Sequence, residues 1–185
     1  LGKPISLGGK YEQIKRQNQT SVKMSKEKSA DLTISARFNP MLKGTLTASL
    51  KRIGLLEIGA LEELDRIKYG VAFSVVRDSR DFFLSPTRGR RDHLAFEISR
   101  GDFKLRKLWI DLDQYAKTWK NQVILAGVHI ASAWGQDIPW TEMFSLGGAN
   151  SLRGYDEDFF FGQHRLYCNI EYRLLVGHIS QVFSF

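Results

Sequence analysis

Residues 144–173 read FSLGGANSLRGYDEDFFFGQHRLYCNIEYR. From Arg165 the stretch alternates strictly, with Leu166, Cys168, Ile170, Tyr172 and Leu174 on one face and Arg165, Tyr167, Asn169, Glu171 and Arg173 on the other. A helix would scatter both sets around its circumference, because its side chains repeat every ~3.6 residues rather than every second one. The stretch is therefore a strand with one apolar and one charged face. Ahead of it, the pair Gly147-Gly148 and the run Leu152-Arg153-Gly154-Tyr155 mark a long loop feeding that strand.

Arg153 is the unusual residue of the loop. A guanidinium keeps its charge and presents its donors in a fixed fork, so burial demands a carboxylate or several carbonyls. Residue type alone leaves two readings open, a solvated loop arginine or a structural latch.

The same alternation recurs upstream. Leu32, Ile34, Ala36 and Phe38 alternate with Asp31, Thr33, Ser35 and Arg37 until Asn39-Pro40 ends the run, and a second strand over about Gly44 to Lys51 completes a hairpin. Further strands are predicted over Tyr69 to Arg77, Arg90 to Ser99, Lys104 to Tyr115 and Gln122 to Trp134, with short links that make neighbours antiparallel. Residues 54–68 fit either a helix or a long loop with strand extensions. Residues 1–30 read as the edge of one strand followed by a polar loop from Lys15 to Lys28.

Between Arg77 and Arg90 lies a turn containing Asp78, Arg80, Asp81, Pro86 and Gly89. Two carboxylates this close could in principle serve as an acid–base pair. No nucleophile or metal-ligand pattern stands with them, so stabilisation of the turn by opposite charges is the expectation.

At 185 residues the chain suffices for one ordinary domain. It lacks the roughly 18–20 consecutive apolar residues of a helical membrane span, whereas a barrel strand needs only about 9–11 residues, half of them hidden from lipid. The predicted strands reach that length. Tyr69, Tyr115, Trp119, Trp134 and Trp140 fall at or near strand ends, where an interfacial girdle would place them. The formal charge of +7 is spread along the chain without a recognition helix or an aromatic RNA-binding motif, which argues against nucleic acid as a partner. A single cysteine, Cys168, excludes an intrachain disulfide, and its apolar strand face suits a packing residue. His93, His129, His164 and His178 lie on different strands or turns without ligand spacing.

Taken together, Leu146-Gly147-Gly148, Leu152-Arg153-Gly154-Tyr155, Gly162 and Glu171-Tyr172-Arg173, with Arg77-Asp78-Ser79-Arg80-Asp81 and Pro86-Thr87-Arg88-Gly89 upstream, resemble the signature of the BamA/TamA superfamily of outer-membrane assembly barrels. The resemblance covers about residues 69–185 and rests on several separated motifs in the right order. It implies an all-β fold, a transmembrane antiparallel β-barrel of about sixteen strands preceded by POTRA domains. Residues 1–185 would then be a part of that barrel domain, running from Asp31 as the sixth strand to the start of the thirteenth, with the POTRA domains and closing strands absent.

The resemblance further implies that a loop at about 135–163 folds into the lumen. Its tip, Arg153, Gly154 and Tyr155, would meet acidic residues on the inner wall, with Gly147 and Gly148 shaping the approach. Glu171 is the first candidate partner, sharing its polar face with Arg173. Alternatively the acid lies beyond Phe185 and Glu171 neutralises Arg173.

The implied function is non-enzymatic and cofactor-free: folding and inserting β-barrel clients through an openable strand seam. Unfolded outer-membrane proteins, outer-membrane lipids and accessory assembly proteins would be the partners, in a bacterial or an organellar outer membrane. A two-partner secretion transporter and a passive or lipase-linked porin-like barrel are the alternatives.

Overall fold

The computed structural model describes residues 5–18, 23–57, 64–149, 151–175 and 181–184. Long strands dominate: β1 (Ile5–Asn18), β2 (Lys23–Asn39), β3 (Leu42–Glu57), β4 (Leu64–Asp78), β5 (Gly89–Gly101), β6 (Leu105–Trp119) and β7 (Gln122–Gly135). A 3-10 turn (Trp140–Glu142) and two short strands, β8 (Phe144–Leu146) and β9 (Phe160–Gly162), lie within the following loop, and β10 (His164–Leu175) and β11 (Gln181–Ser184) come after it.

All the long strands join one sheet in the order β1-β2-β3-β4-β5-β6-β7-β10-β11, each antiparallel to its neighbour. The tight links seen in the sequence enforce this simple order. Pro40-Met41 closes one hairpin, with the Met41 amide donating to the Asn39 side chain at 2.9 Å, and Lys120-Asn121 closes another. Both hairpins and the β4–β5 turn lie at one end of the sheet. The loop from β7 to β10 lies at the other.

The sheet is inverted relative to a soluble sandwich. Its apolar face is bare, with Leu166 65%, Ile170 74% and Val71 52% exposed, and no second layer covers it among the described residues. The opposite face carries the charged and hydroxylated residues, including hydroxyl pairs such as Thr33–Thr47 and Ser35–Thr45, each 3.2 Å apart across β2 and β3. An apolar exterior around a polar interior is the arrangement of a transmembrane β-barrel wall, in which lipid takes the place of a packed core.

Several expectations are corrected, and the open reading of residues 54–68 is decided for strand extensions where that segment is described. Residues 23–30 belong to β2 rather than to a loop, and the backbone of 5–18 forms β1. The strands of this wall are up to 17 residues long and outrun a bilayer, so their projecting parts lack the alternation that marks a span. Residues 54–57 and 64–68 are strand extensions of β3 and β4, and 58–63 fall outside the described residues. β6 continues to Trp119 across an irregularity between Lys117 and Trp119, which shortens the predicted link to two residues. Tyr115 is not part of an outer girdle: it is 8% exposed on the inner face, with Arg173 over its ring at 5.5 Å. Trp140 likewise packs edge-on against Phe161 inside the loop, whereas Trp119 and Trp134 are exposed at strand ends. His178 lies outside the described residues.

Candidate functional site: the loop on the inner wall

The loop between β7 and β10 is seated on the polar face at three places. Its base rests on a small apolar cluster of Ile53, Phe103, Leu105, Ala131, Ala133, Ile138 and Phe144. Strand parity puts Ile53, Leu105, Ala131 and Ala133 on the inner face, where they interrupt an otherwise polar wall near the loop end. Phe144 adds an edge contact to Trp109 at 5.7 Å and lies under the cations of Lys107 and Arg165, each 5.6 Å from its ring centre. Bonds to backbone carbonyls close the base: the Arg66 guanidinium donates to the Asp137 carbonyl at 2.8 Å, and the Ala133 amide to the Gln163 carbonyl at 2.7 Å.

The second seat is ionic. Glu142, at the end of the 3-10 turn, is 1% exposed and accepts from Lys51 at 2.9 Å, Lys68 at 2.8 Å and Lys107 at 2.6 Å. These lysines come from β3, β4 and β6. Lys51 also pairs with Glu27 of β2 at 2.9 Å, and Lys68 with Glu97 of β5 at 2.8 Å. Burial alone would push the Glu142 carboxyl up, but the charges of Lys107, Lys68 and Lys51 outweigh it and hold the group well below the ordinary carboxylate range. Glu142 was not singled out in the sequence, where it is one acid in an irregular segment. The signal available was strand parity, which puts Lys51, Lys68 and Lys107 on one face only once the strand predicted from Tyr69 is extended back through Lys68.

The third seat is the tip. Arg153 donates from Nη2 to Glu171 Oε1 at 3.0 Å and from Nε to the Ala149 carbonyl at 3.1 Å. Arg173 holds the other oxygen, Glu171 Oε2, through Nε at 3.1 Å and Nη2 at 2.8 Å. Glu171 thus serves both arginines, so the two readings of its partner are not exclusive. A cleft of about 270 Å³ lined by Ala149, Ser151, Arg153, Asn169 and Glu171 opens beside this contact. Tyr155 is 48% exposed and joins a cluster with Phe159 and Phe160, at 5.5 and 5.1 Å between ring centres, rather than entering the wall.

Glycine shapes the approach to the tip. Gly147 has φ +134°, and a Cβ there would stand 2.2 Å from the Asp156 carbonyl oxygen. The Gly148 amide donates to the Tyr155 carbonyl at 3.1 Å, closing the loop on itself, while the space around Gly154 is open. Ser145 bonds Asp158 and Arg165 donates to the Ser145 carbonyl at 3.1 Å, which ties the β8–β9 hairpin to β10.

The turn from 79 to 88 is a separate unit at the opposite end. Arg80 grips Asp78 with two bonds of 2.9 and 2.6 Å, and Asp81 accepts from the amides of Phe82, Thr87 and Arg88 and from the Thr87 hydroxyl. Burial is the largest single influence on the Asp81 carboxyl and raises it, but the bonds from Thr87, Arg88 and Phe82 together outweigh it and lower the group to about 2. Pro86 is buried beneath the turn, and Gly89 approaches Ser79 so closely that a Cβ would lie 2.3 Å from its carbonyl oxygen. Every polar atom of the two carboxylates is thus engaged in the turn itself.

A polar chain unanticipated in the sequence runs along the middle of the wall. Asp111 Oδ2 lies 2.9 Å from His93 Nδ1 and its Oδ1 3.0 Å from His129 Nδ1, while Tyr167 stacks on His129 at 4.5 Å. Neighbouring strands β5, β6, β7 and β10 bring these groups level. Among the described residues no group of His, Cys, Asp or Glu has the arrangement of a metal site.

This wall and loop have a close structural counterpart. The fold matches the crystal structure of BamA from Haemophilus ducreyi lacking POTRA domains 1–3, with a TM-score of 0.82 over 95% of this chain at 15% sequence identity. The chain spans 43% of the length of that protein. No curated protein sequence matches it. The sequence does fit the Omp85 superfamily domain over residues 1–166, most of its length. An apolar-out, polar-in antiparallel wall with a glycine-shaped loop folded against its inner face therefore has its family: the chain belongs to the Omp85 superfamily of outer-membrane β-barrels.

Proposed function

We propose that this chain forms part of an outer-membrane assembly factor that folds and inserts β-barrel clients. Further strands complete its barrel and POTRA domains stand on the periplasmic side. The bare apolar face meets outer-membrane lipid, and an openable seam between strands offers unpaired backbone groups to which a client strand adds by β-augmentation. No covalent step is required. The free energy comes from replacing unpaired client backbone in water by a ladder shielded from it. Unfolded outer-membrane proteins are the clients, accessory assembly proteins bind around the barrel, and a bacterial outer membrane is the setting.

The observation that carries this reading is the contact of Arg153 with Glu171, which pins a long loop to the strand following it. Such a latch docks the loop tip against the wall beside the strands that form the barrel. The test is charge reversal in the full-length protein: Arg153→Glu, Glu171→Arg and the double exchange, read out as the abundance of client barrels in the membrane. Both single variants lower client abundance and the exchange restores part of it. Export of a secreted polypeptide that fails while client barrels stay normal would instead assign the two-partner secretion function.

A further inference from the structure

We infer that the loop has two independent anchors, and that Glu142 is the positioning residue of the stronger one. Its carboxylate closes a cluster of three ammonium groups and three carboxylates, Lys51, Lys68 and Lys107 against Glu27, Glu97 and Glu142. The side chains of Glu142, Glu27 and Lys68 are 2%, 4% and 6% exposed, and those of Lys107, Glu97 and Lys51 10%, 14% and 18%, so the balance is struck largely away from water along one side of a cleft of about 380 Å³. The cluster spans five consecutive strands, β2 to β6, with the loop supplying one of its six charges. Withdrawing Glu142 would leave three ammonium groups, two of them buried, facing two carboxylates, and an uncompensated charge away from water is strongly unfavourable.

The tip anchor is built differently. Arg153 is 29% exposed on its side chain, against 2% for Glu142, and shares the Glu171 carboxylate with Arg173. Release of Arg153 leaves Glu171 still paired with Arg173, so no carboxylate on the wall loses its last cation. The contacts also sit at different levels of the wall. Lys107 is the third residue of β6 from the loop end, whereas Glu171 is the eighth residue of β10 and lies opposite Leu125, close to the hairpin end. Between them stand Gly147 and Gly148, at φ +134° and +85°, the natural point for the chain to bend. The tip therefore swings from a base that stays fixed. The use of that motion in assembly rests on the function proposed above, but the anchor itself does not.

Hydrogen exchange of the full-length protein in lipid nanodiscs tests this, following peptides from the base (138–146) and the tip (151–158). Glu142→Ala raises exchange of the base by about two orders of magnitude, as loss of one member of a buried charge cluster requires. Exchange of the tip changes less than about tenfold in that variant, and Arg153→Ala gives the opposite pattern. The exchange variant E142K/K107E again sets three cations against three anions, and it returns the base to within about tenfold of the wild type, a recovery that mere loss of packing would not show. Should Glu142→Ala fail to give the folded, heat-modifiable form, Glu142→Gln, which removes only the charge, carries the same expectation. Base exchange unchanged in the Glu142 variants, or base and tip opening together in Arg153→Ala, overturns the proposal. Client abundance is not read here, so failure of the assembly function leaves this outcome interpretable.

Discussion

Arg153 reaches Glu171 across 18 residues of chain at 3.0 Å, while Arg173, two residues along the same strand, occupies the other oxygen of that carboxylate. Arg173 thereby fixes the orientation in which Glu171 receives the loop. Arg173→Met should weaken docking of the tip without touching the loop, at a cost of about 1–2 kcal/mol, the range for a charge-assisted bond at a partly exposed site. Comparing tip exchange in Arg173→Met and Arg153→Met checks it: the Arg153 variant has the larger effect, and equal wild-type-like exchange in the Arg173 variant would separate Arg173 from the latch.

The two seats of the loop differ in their response to salt. At ~1 M ionic strength the screening length falls to ~3 Å, which reaches partly exposed pairs but not enclosed ones. Tip exchange should rise between 0.1 and 1 M sodium chloride, conditions chosen for that contrast, while the base around the 1% exposed Glu142 stays protected.

Gly147→Ala and Gly154→Ala separate backbone strain from steric conflict. Both glycines have positive φ, +134° and +92°, beyond the left-handed helical region, which costs an alanine about 1–3 kcal/mol. At Gly147 the added Cβ also meets the Asp156 carbonyl, whereas around Gly154 there is room. Thermal unfolding in detergent should therefore fall further for Gly147→Ala than for Gly154→Ala.

Asp81 makes the β4–β5 turn acid-sensitive. Its carboxyl is lowered from 3.8 to about 2 on folding, so the ionised group stabilises the folded state above its unfolded value. That contribution is lost as pH falls through about 2. It stays below about 1 kcal/mol, because the side chain is exposed and solvent screens it. Asp81→Asn should flatten the dependence of turn stability on pH between about 4 and 2, measured by exchange of the amides of Thr87 and Arg88.

The two faces of β10 can be read directly. A nitroxide on the exposed Cys168 should collide with oxygen dissolved in lipid, and one placed by Asn169→Cys, in a Cys168→Ser background, with a water-soluble relaxation agent. Reversed accessibilities would turn the wall inside out.

Alternation alone identified β10 and the central parts of β2 to β7, because a pleated strand shows its two environments at every second residue and the lipid-facing set from Leu166 to Leu174 is uniformly apolar. The short links then left antiparallel neighbours as the only simple order. The same parity put Glu171 and Arg173 on one face, and the resemblance supplied Arg153 as the loop residue to set against them. Parity was silent where strands leave the bilayer, which is why residues 23–30 and 54–57 read as irregular.

What only the tertiary structure decided is the meeting of groups remote in sequence. Glu142 finds Lys107, Lys68 and Lys51 at separations of 35, 74 and 91 residues, and Asp111 bridges His93 and His129. Parity gives the face of each residue but not its height on the wall. Height is set by the register of every intervening strand pair, and a slip of two residues would keep every side chain on its face while separating these charges by about 7 Å.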